Sequence, residues 1–198
     1  MAQAVAQLRD ADARLARVID VVGPCTMFPT HEGSHCTHLV RAIVYQQLSG
    51  AAAGTIHSRL SALLGGVTDA RSIATVPDDA LRAVGLSTAK TRALRDLSER
   101  VLDGRLPLDG LEALDDQAII DAVVQVRGIG PWTAQMFLMF RLGRPDVLPV
   151  LDLGVRKGAQ LMHGLRSLPD SARLERLARP WRPWRSVASW YCWRALEL

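Results

Sequence analysis

Apolar residues recur every three or four positions along most of this chain, and the rhythm breaks at glycine and proline. Val5, Leu8, Ala11, Leu15, Val18, Ile19 and Val22 share one helical face, which predicts a single N-terminal helix closed by Gly23-Pro24. A loop with Pro29 and Gly33 follows. HCTHLVRAIVYQQLS and AAAGTIHSRLSALLG predict two helices parted around Ser49-Gly50, the second stopped by Gly65-Gly66. A short helix is expected from Pro77 to Gly85. STAKTRALRDLSERVLDG has a Ser87 cap and a Gly104 stop. Further helices are expected over about 116–126, 132–141, 152–163, 171–178 and 183–196. No segment alternates with period two between hairpin turns. The expected fold is therefore all-α, about ten short helices without low-complexity linkers or internal repeats.

Composition narrows the class. At 198 residues, 48% hydrophobic and 22% charged, the chain suits one soluble domain, whole or divided into two lobes. A net charge of +4 and a pI near 9.4 permit a polyanionic partner without establishing one. Lys90 and Lys157 are the only lysines. Arginine favours bidentate phosphate contacts, although a GC-rich genome gives the same bias. Cys25, Cys36 and Cys192 are odd in number and far apart, which argues against a disulfide framework and against zinc or iron–sulfur ligation. His31, His35 and His38 with Cys36 are the one local cluster of metal-ligating types, and nothing elsewhere completes a set, so no metal and no cofactor are expected. The N-terminal stretch carries charges inside its apolar pattern, unlike a signal peptide, and no apolar run approaches the roughly 18 residues of a membrane span. A reducing, cytoplasmic location with no membrane partner is the expectation.

VRGIGPWTAQMFLMF, Val126 to Phe140, is the first stretch with chemistry in it. Two glycines two apart predict a turn with φ > 0 that another molecule can approach closely, and Pro131 fits the first position of a helix. Read as structure alone this is a helix C-cap before a new helix. With a helix on either side it resembles the helix-hairpin-helix motif, whose amides grip a DNA backbone without reading sequence. Twenty residues after Trp132, Asp152 stands in a Pro-entered loop where the next helix begins. It reads as an N-cap, and the same position keeps a carboxylate anionic beside a developing cation.

In this order, RAIVYQQLSGAAAGTI, GLSTAKTRAL, VRGIGPWTAQMFLMF, DVLPVLDLGVRKG and WRPWRSVASWYCWR resemble the DNA-3-methyladenine glycosylase II family, within the helix-hairpin-helix superfamily of base-excision glycosylases. The likeness runs from about Cys36 to Trp193 and is to the compact form without an extra N-terminal sheet domain. It implies one two-lobed domain over 1–198. A central helical lobe, 35–144, ends in the helix-hairpin-helix; 1–34 with 145–198 form the second lobe, with DNA and the base pocket in the cleft. It implies Asp152 as the catalytic carboxylate and Trp132, Met136 and Trp193 as base-pocket residues. Gln47 matches a wedge that fills the gap left by a flipped base, and Arg127, Gly128, Ile129, Gly130 and Thr133 match the hairpin contacts to DNA. Leu151 stands where family members often carry a second acid, Met136 where some have tyrosine, and Asp146 is too close to the hairpin to match. The implied partner is double-stranded DNA containing alkylated bases, bound by a monomer.

Chemistry on a base within a duplex requires extruding it, filling the gap and stacking it in a pocket. N-alkylated purines are cationic and leave readily, so one carboxylate suffices where sugar hydrolases usually need two. Aromatic faces suit such a base through cation–π attraction of about 0.5–2 kcal/mol. Trp181, Trp184 and Trp190 are expected in packing. RPWRPWRS, Arg179 to Ser186, reads as a solvated helix start or as a phosphate contact. Two alternatives stay open: a non-catalytic helix-hairpin-helix module, and a glycosylase/lyase for oxidised bases. The latter needs an amine, and such relatives place lysine where this chain has Trp132.

Overall fold

The computed structural model describes residues 1–30 and 32–198, and among them every regular element is helical. In chain order the α-helices are α1 (Ala2–Ala11), α2 (Ala13–Val22), α3 (His35–Tyr45), α4 (Gly50–Leu63), α5 (Ala70–Thr75) and α6 (Asp78–Ala83). They continue with α7 (Thr88–Leu102), α8 (Asp116–Val123), α9 (Pro131–Phe140), α10 (Leu153–His163), α11 (Ser171–Leu177) and α12 (Arg185–Arg194). No described helix is long and apolar enough to cross a membrane.

Two of these helices escape the spacing rule. The N-terminal segment, expected as one helix, breaks at Asp12, whose extended backbone and side chain cap α2 through the amides of Arg14 (2.9 Å) and Leu15 (3.2 Å). The apolar rhythm runs straight through that break, so periodicity is blind to it. The other, α5, is too short for a period to register. It is defined by a capping box in which Asp69 and Ser72 satisfy each other's backbone amides.

The chain forms two compact units. One comprises Met1–Thr30 with Leu138–Leu198, the other His31–Phe137. The expected change of lobe near 144 lies instead inside α9, because the segment beyond it bonds to the terminal unit. The Thr30 amide donates to Phe140 O, and Ser186 accepts from the Val147 amide while donating to Arg144 O.

In the terminal unit α10 packs on α12 around Val155, Ala159, Ala188 and Tyr191. Gly158 makes that crossing possible: a Cβ there would stand 2.1 Å from Cys192 O. Trp181 is fully buried and its indole donates to Asp12 Oδ2 at 2.8 Å. In the central unit α3, α5 and α7 enclose Leu39, Ile43, Ile73, Leu94 and Leu97. Each such side chain contributes about 1.5–3 kcal/mol by leaving water.

Candidate active site and nucleic-acid interface

The hairpin lies in the central unit. α8 ends at Val123, and the chain turns through Gly128 (φ +78°) before Pro131 opens α9. Of the two glycines only Gly128 needs left-handed backbone. Gly130 faces open space, since a Cβ on it would meet nothing within 4 Å. Among the described residues, the amides of Gly128, Gly130 and Thr133 have no protein partner. The backbone amides of two of the expected contact residues bond within the protein. Ile129 is buried and its amide donates to Val126 O at 3.0 Å, so it anchors the turn. The Arg127 amide donates to Asp96 Oδ2 at 2.7 Å, which leaves only its exposed side chain to meet a ligand. Burial would push the Asp96 carboxyl up, but the Arg127 amide and Arg100 outweigh it and hold it below 3.8.

Trp132 is exposed on the first turn of α9, and half-buried Met136 lies one turn further along. Thr133 is buried, its hydroxyl accepting from Gln46 Nε2 at 3.4 Å, and the same amide donates to Gly128 O at 2.9 Å. Gln46 thus ties the turn after α3 to the hairpin. Gln47, next in that turn, is exposed with φ +56°, the one non-glycine at positive φ among the described residues. Lys90 Nζ donates to Val44 O at 2.8 Å and Gln46 O at 2.9 Å, and its partial burial lowers its pKa.

Asp152 lies in the terminal unit. A tight turn, closed by its own amide on Pro149 O at 2.9 Å, delivers it to the N-cap of α10. Its Oδ1 accepts from the Val155 amide at 2.7 Å and from Trp193 Nε1 at 2.9 Å. Trp193, expected as a base-stacking wall, is thus also a donor to the carboxylate. Its ring stacks on Phe140 with centroids 5.9 Å apart and planes 25° apart. Gly154 leaves room for it, because a Cβ there would stand 2.7 Å from Trp193 Cδ1. Leu151, in the place of a second acid, is exposed. Asp146 is taken up by Arg185 (2.7 Å) and Arg182 (3.1 Å), which also commits two arginines of RPWRPWRS to internal ion pairs.

His35 Nε2 is 2.7 Å from Glu112 Oε1, and burial pushes the Cys36 thiol up to about 11. His31 lies outside the described residues. Among those described, no group of three metal-ligating side chains forms. Residue type and spacing do not announce Gln46, Lys90, Asp96 and Phe140 as neighbours of these residues.

Residues 40–183 match the profile of the HhH-GPD superfamily base excision DNA repair protein. The chain is 31% identical over 163 residues to DNA-3-methyladenine glycosylase 1 of Schizosaccharomyces pombe, spanning 81% of this chain and 72% of that protein. Its fold is similar to that of the S. pombe 3-methyladenine DNA glycosylase Mag1 in complex with abasic DNA. The TM-score is 0.86 at 29% identity, over 99% of this chain and 97% of that one. A DNA-3-methyladenine glycosidase from Bacillus halodurans gives a TM-score of 0.87 at 36% identity, over 97% and 88%.

Proposed function

The chain belongs to the HhH-GPD superfamily of base excision DNA repair proteins, and from that premise we propose that it hydrolytically excises N-alkylated purines, the 3-methyladenine and 7-methylguanine class, from duplex DNA. The observation that carries this reading is the Asp152 carboxylate. It is fixed at a helix start by the Val155 amide and the Trp193 indole, in a chain whose hairpin leaves amides open.

In the reaction, water attacks C1′ of the damaged nucleotide while the N-glycosidic bond breaks. The bond's electron pair goes to the departing base, which leaves neutral because it was cationic, and no acid is required. Asp152 stabilises the positive charge that grows on the sugar and takes the proton from water, leaving an abasic site. Two donors on Oδ1 hold it in one orientation, so little rearrangement is needed in the transition state. The open amides of Gly128, Gly130 and Thr133 receive a backbone phosphate, Gln47 fills the vacated stack, and exposed Trp132 offers the base a π-face.

Discrimination then follows the lesion's own charge. Cationic 3-methyladenine and 7-methylguanine should leave fastest, neutral hypoxanthine or ethenoadenine more slowly, normal purines slowest. The reading includes action as a monomer in the reducing compartment that holds DNA, and all three cysteines are free thiols. The deciding experiment is release of free base from methylated duplex by purified protein. Binding without release would favour the non-catalytic module. Borohydride during turnover should trap no adduct; an adduct mapping to Lys157 would mean lyase chemistry. Faster release of a neutral oxidised base than of 3-methyladenine would place the enzyme in another branch of the superfamily.

A further inference from the structure

Gln47 holds a backbone conformation that L side chains adopt at a cost, on an exposed turn where nothing is gained in packing. The constraint that opposes relaxation comes from a distant helix. Lys90, on the first turn of α7, donates to both Val44 O and Gln46 O. The Gln46 carbonyl belongs to the peptide group that joins Gln46 to Gln47, and a peptide group is planar. Fixing that oxygen fixes the plane from which Gln47's φ is measured. From the other side the Gln46 side chain is held on Gly128 O and Thr133 Oγ1. The residue before the wedge position is therefore gripped at its carbonyl by α7 and at its side chain by the hairpin.

We propose that Lys90 is a positioning residue for base extrusion: its ammonium locks the Gln46–Gln47 peptide so that Gln47 is presented in its left-handed conformation before DNA arrives. This rests on the reading of the chain as a base-extruding glycosylase with Gln47 as its wedge. A lysine suits the task. Its ammonium is a compact donor that serves two converging carbonyls at once, at the C-terminal end of a helix where positive charge is favoured. Without it, Gln47 relaxes toward ordinary backbone, and the cost of restoring the left-handed turn falls on the extrusion step.

Lys90→Met keeps most of the stem and removes the donors. With 2-aminopurine beside the lesion as reporter, this variant should extrude and excise about tenfold more slowly or worse in single turnover. Its affinity for undamaged duplex should stay unchanged. On a lesion placed opposite an abasic site, where no partner base has to be parted from it, excision should return to within about twofold of the wild type. Gln47→Ala should slow the same step, and Lys90→Met should add nothing to it in the double variant. Lys90→Arg keeps the charge without the compact geometry. It should show the same pattern more weakly, and it serves if Lys90→Met does not fold.

Undiminished extrusion by the folded Lys90 variant beside a slow Gln47→Ala overturns the clamp and leaves the wedge standing. A Gln47→Ala variant with normal extrusion overturns the wedge and the clamp with it. An equal loss on the already unpaired lesion, or additive losses in the double variant, means that Lys90 serves the fold alone and overturns the inference.

Discussion

α9 begins at Gly130-Pro131 and α10 at Asp152-Leu153, and the two starts handle the same electrostatics differently. Glycine has no side chain with which to cap and proline no amide to satisfy, so among the described residues the start of α9 keeps donors open at Gly128, Gly130 and Thr133. At α10 the N-cap supplies its own anion, 2.7 Å from the Val155 amide. A helix N-terminus favours negative charge in either case. The residue just ahead of the first turn decides whether that charge belongs to the protein or to what it binds. One start is thus open to an anion from outside, the other holds an anion of the protein's own.

The comparison can be broken most severely at Asp152. Asp152→Asn keeps the shape and much of the cap while removing the charge, and excision should fall by about three orders of magnitude or more. Circular dichroism and duplex binding should be unchanged; near-normal single-turnover excision would remove Asp152 from the mechanism.

Giving the first helix the second helix's device is the next largest change. Gly130→Asp places a carboxylate in open space at the start of α9, so the protein should fold. Duplex affinity should drop about ten- to a hundredfold, equally for damaged and undamaged DNA, because phosphate contacts carry no base information. A loss confined to damaged duplexes would assign the hairpin to the lesion pocket.

Trp193→Phe sharpens the comparison at smaller cost. It retains an aromatic ring to stack on Phe140 and deletes the indole donor to Asp152. Excision should slow about tenfold, the scale of one hydrogen bond to a charged acceptor, while neighbouring Asp152 keeps its backbone partner. An unchanged rate would mean that the Trp193 donor is not needed to orient the carboxylate.

The smallest effect concerns the far end of α10. His163 accepts from Arg14 Nη1 at 3.0 Å and lies 3.7 Å from Asp12 Oδ2. Burial lowers its pKa below 6.5, and although Asp12 pulls it up, Arg14 pushes it down again. The unfolded chain then binds the proton more readily. Stability from the neutral ring is complete above 6.5 and declines as pH falls through that value. Melting curves between about pH 7.5 and 5 should show this modest loss, and His163→Gln should flatten it. An unaltered slope would assign the pH dependence to other groups.

What could be read from the sequence was local. Asp152 and Ser87 announce helix starts through residue type and the helix that follows, and each accepts a first-turn amide. The hairpin announces itself by Gly-Ile-Gly-Pro, and the five ordered blocks point to the family to which the profile and the relatives assign the chain. The contacts that orient the site were not legible because they join residues far apart. Trp193 reaches Asp152 across 41 positions, Gln46 reaches Gly128 across 82, and Lys90 reaches Val44 across 46. No periodicity encodes such pairs. Gln47's left-handed backbone was hidden for a different reason: nothing in glutamine's chemistry prefers it.

Gly158 has a consequence for how this protein tolerates change. Because a methyl group there would run into Cys192 O at 2.1 Å, α10 and α12 touch backbone to backbone, and Asp152 and Trp193 ride on that fixed contact. In a library randomised at position 158, selection for soluble, folded protein should return glycine. At position 130 the same selection should accept many residues, and only selection for DNA binding should restore glycine. Two glycines, one inside α10 and one just ahead of α9, would then be preserved by separate pressures, one from inside the molecule and one from its ligand.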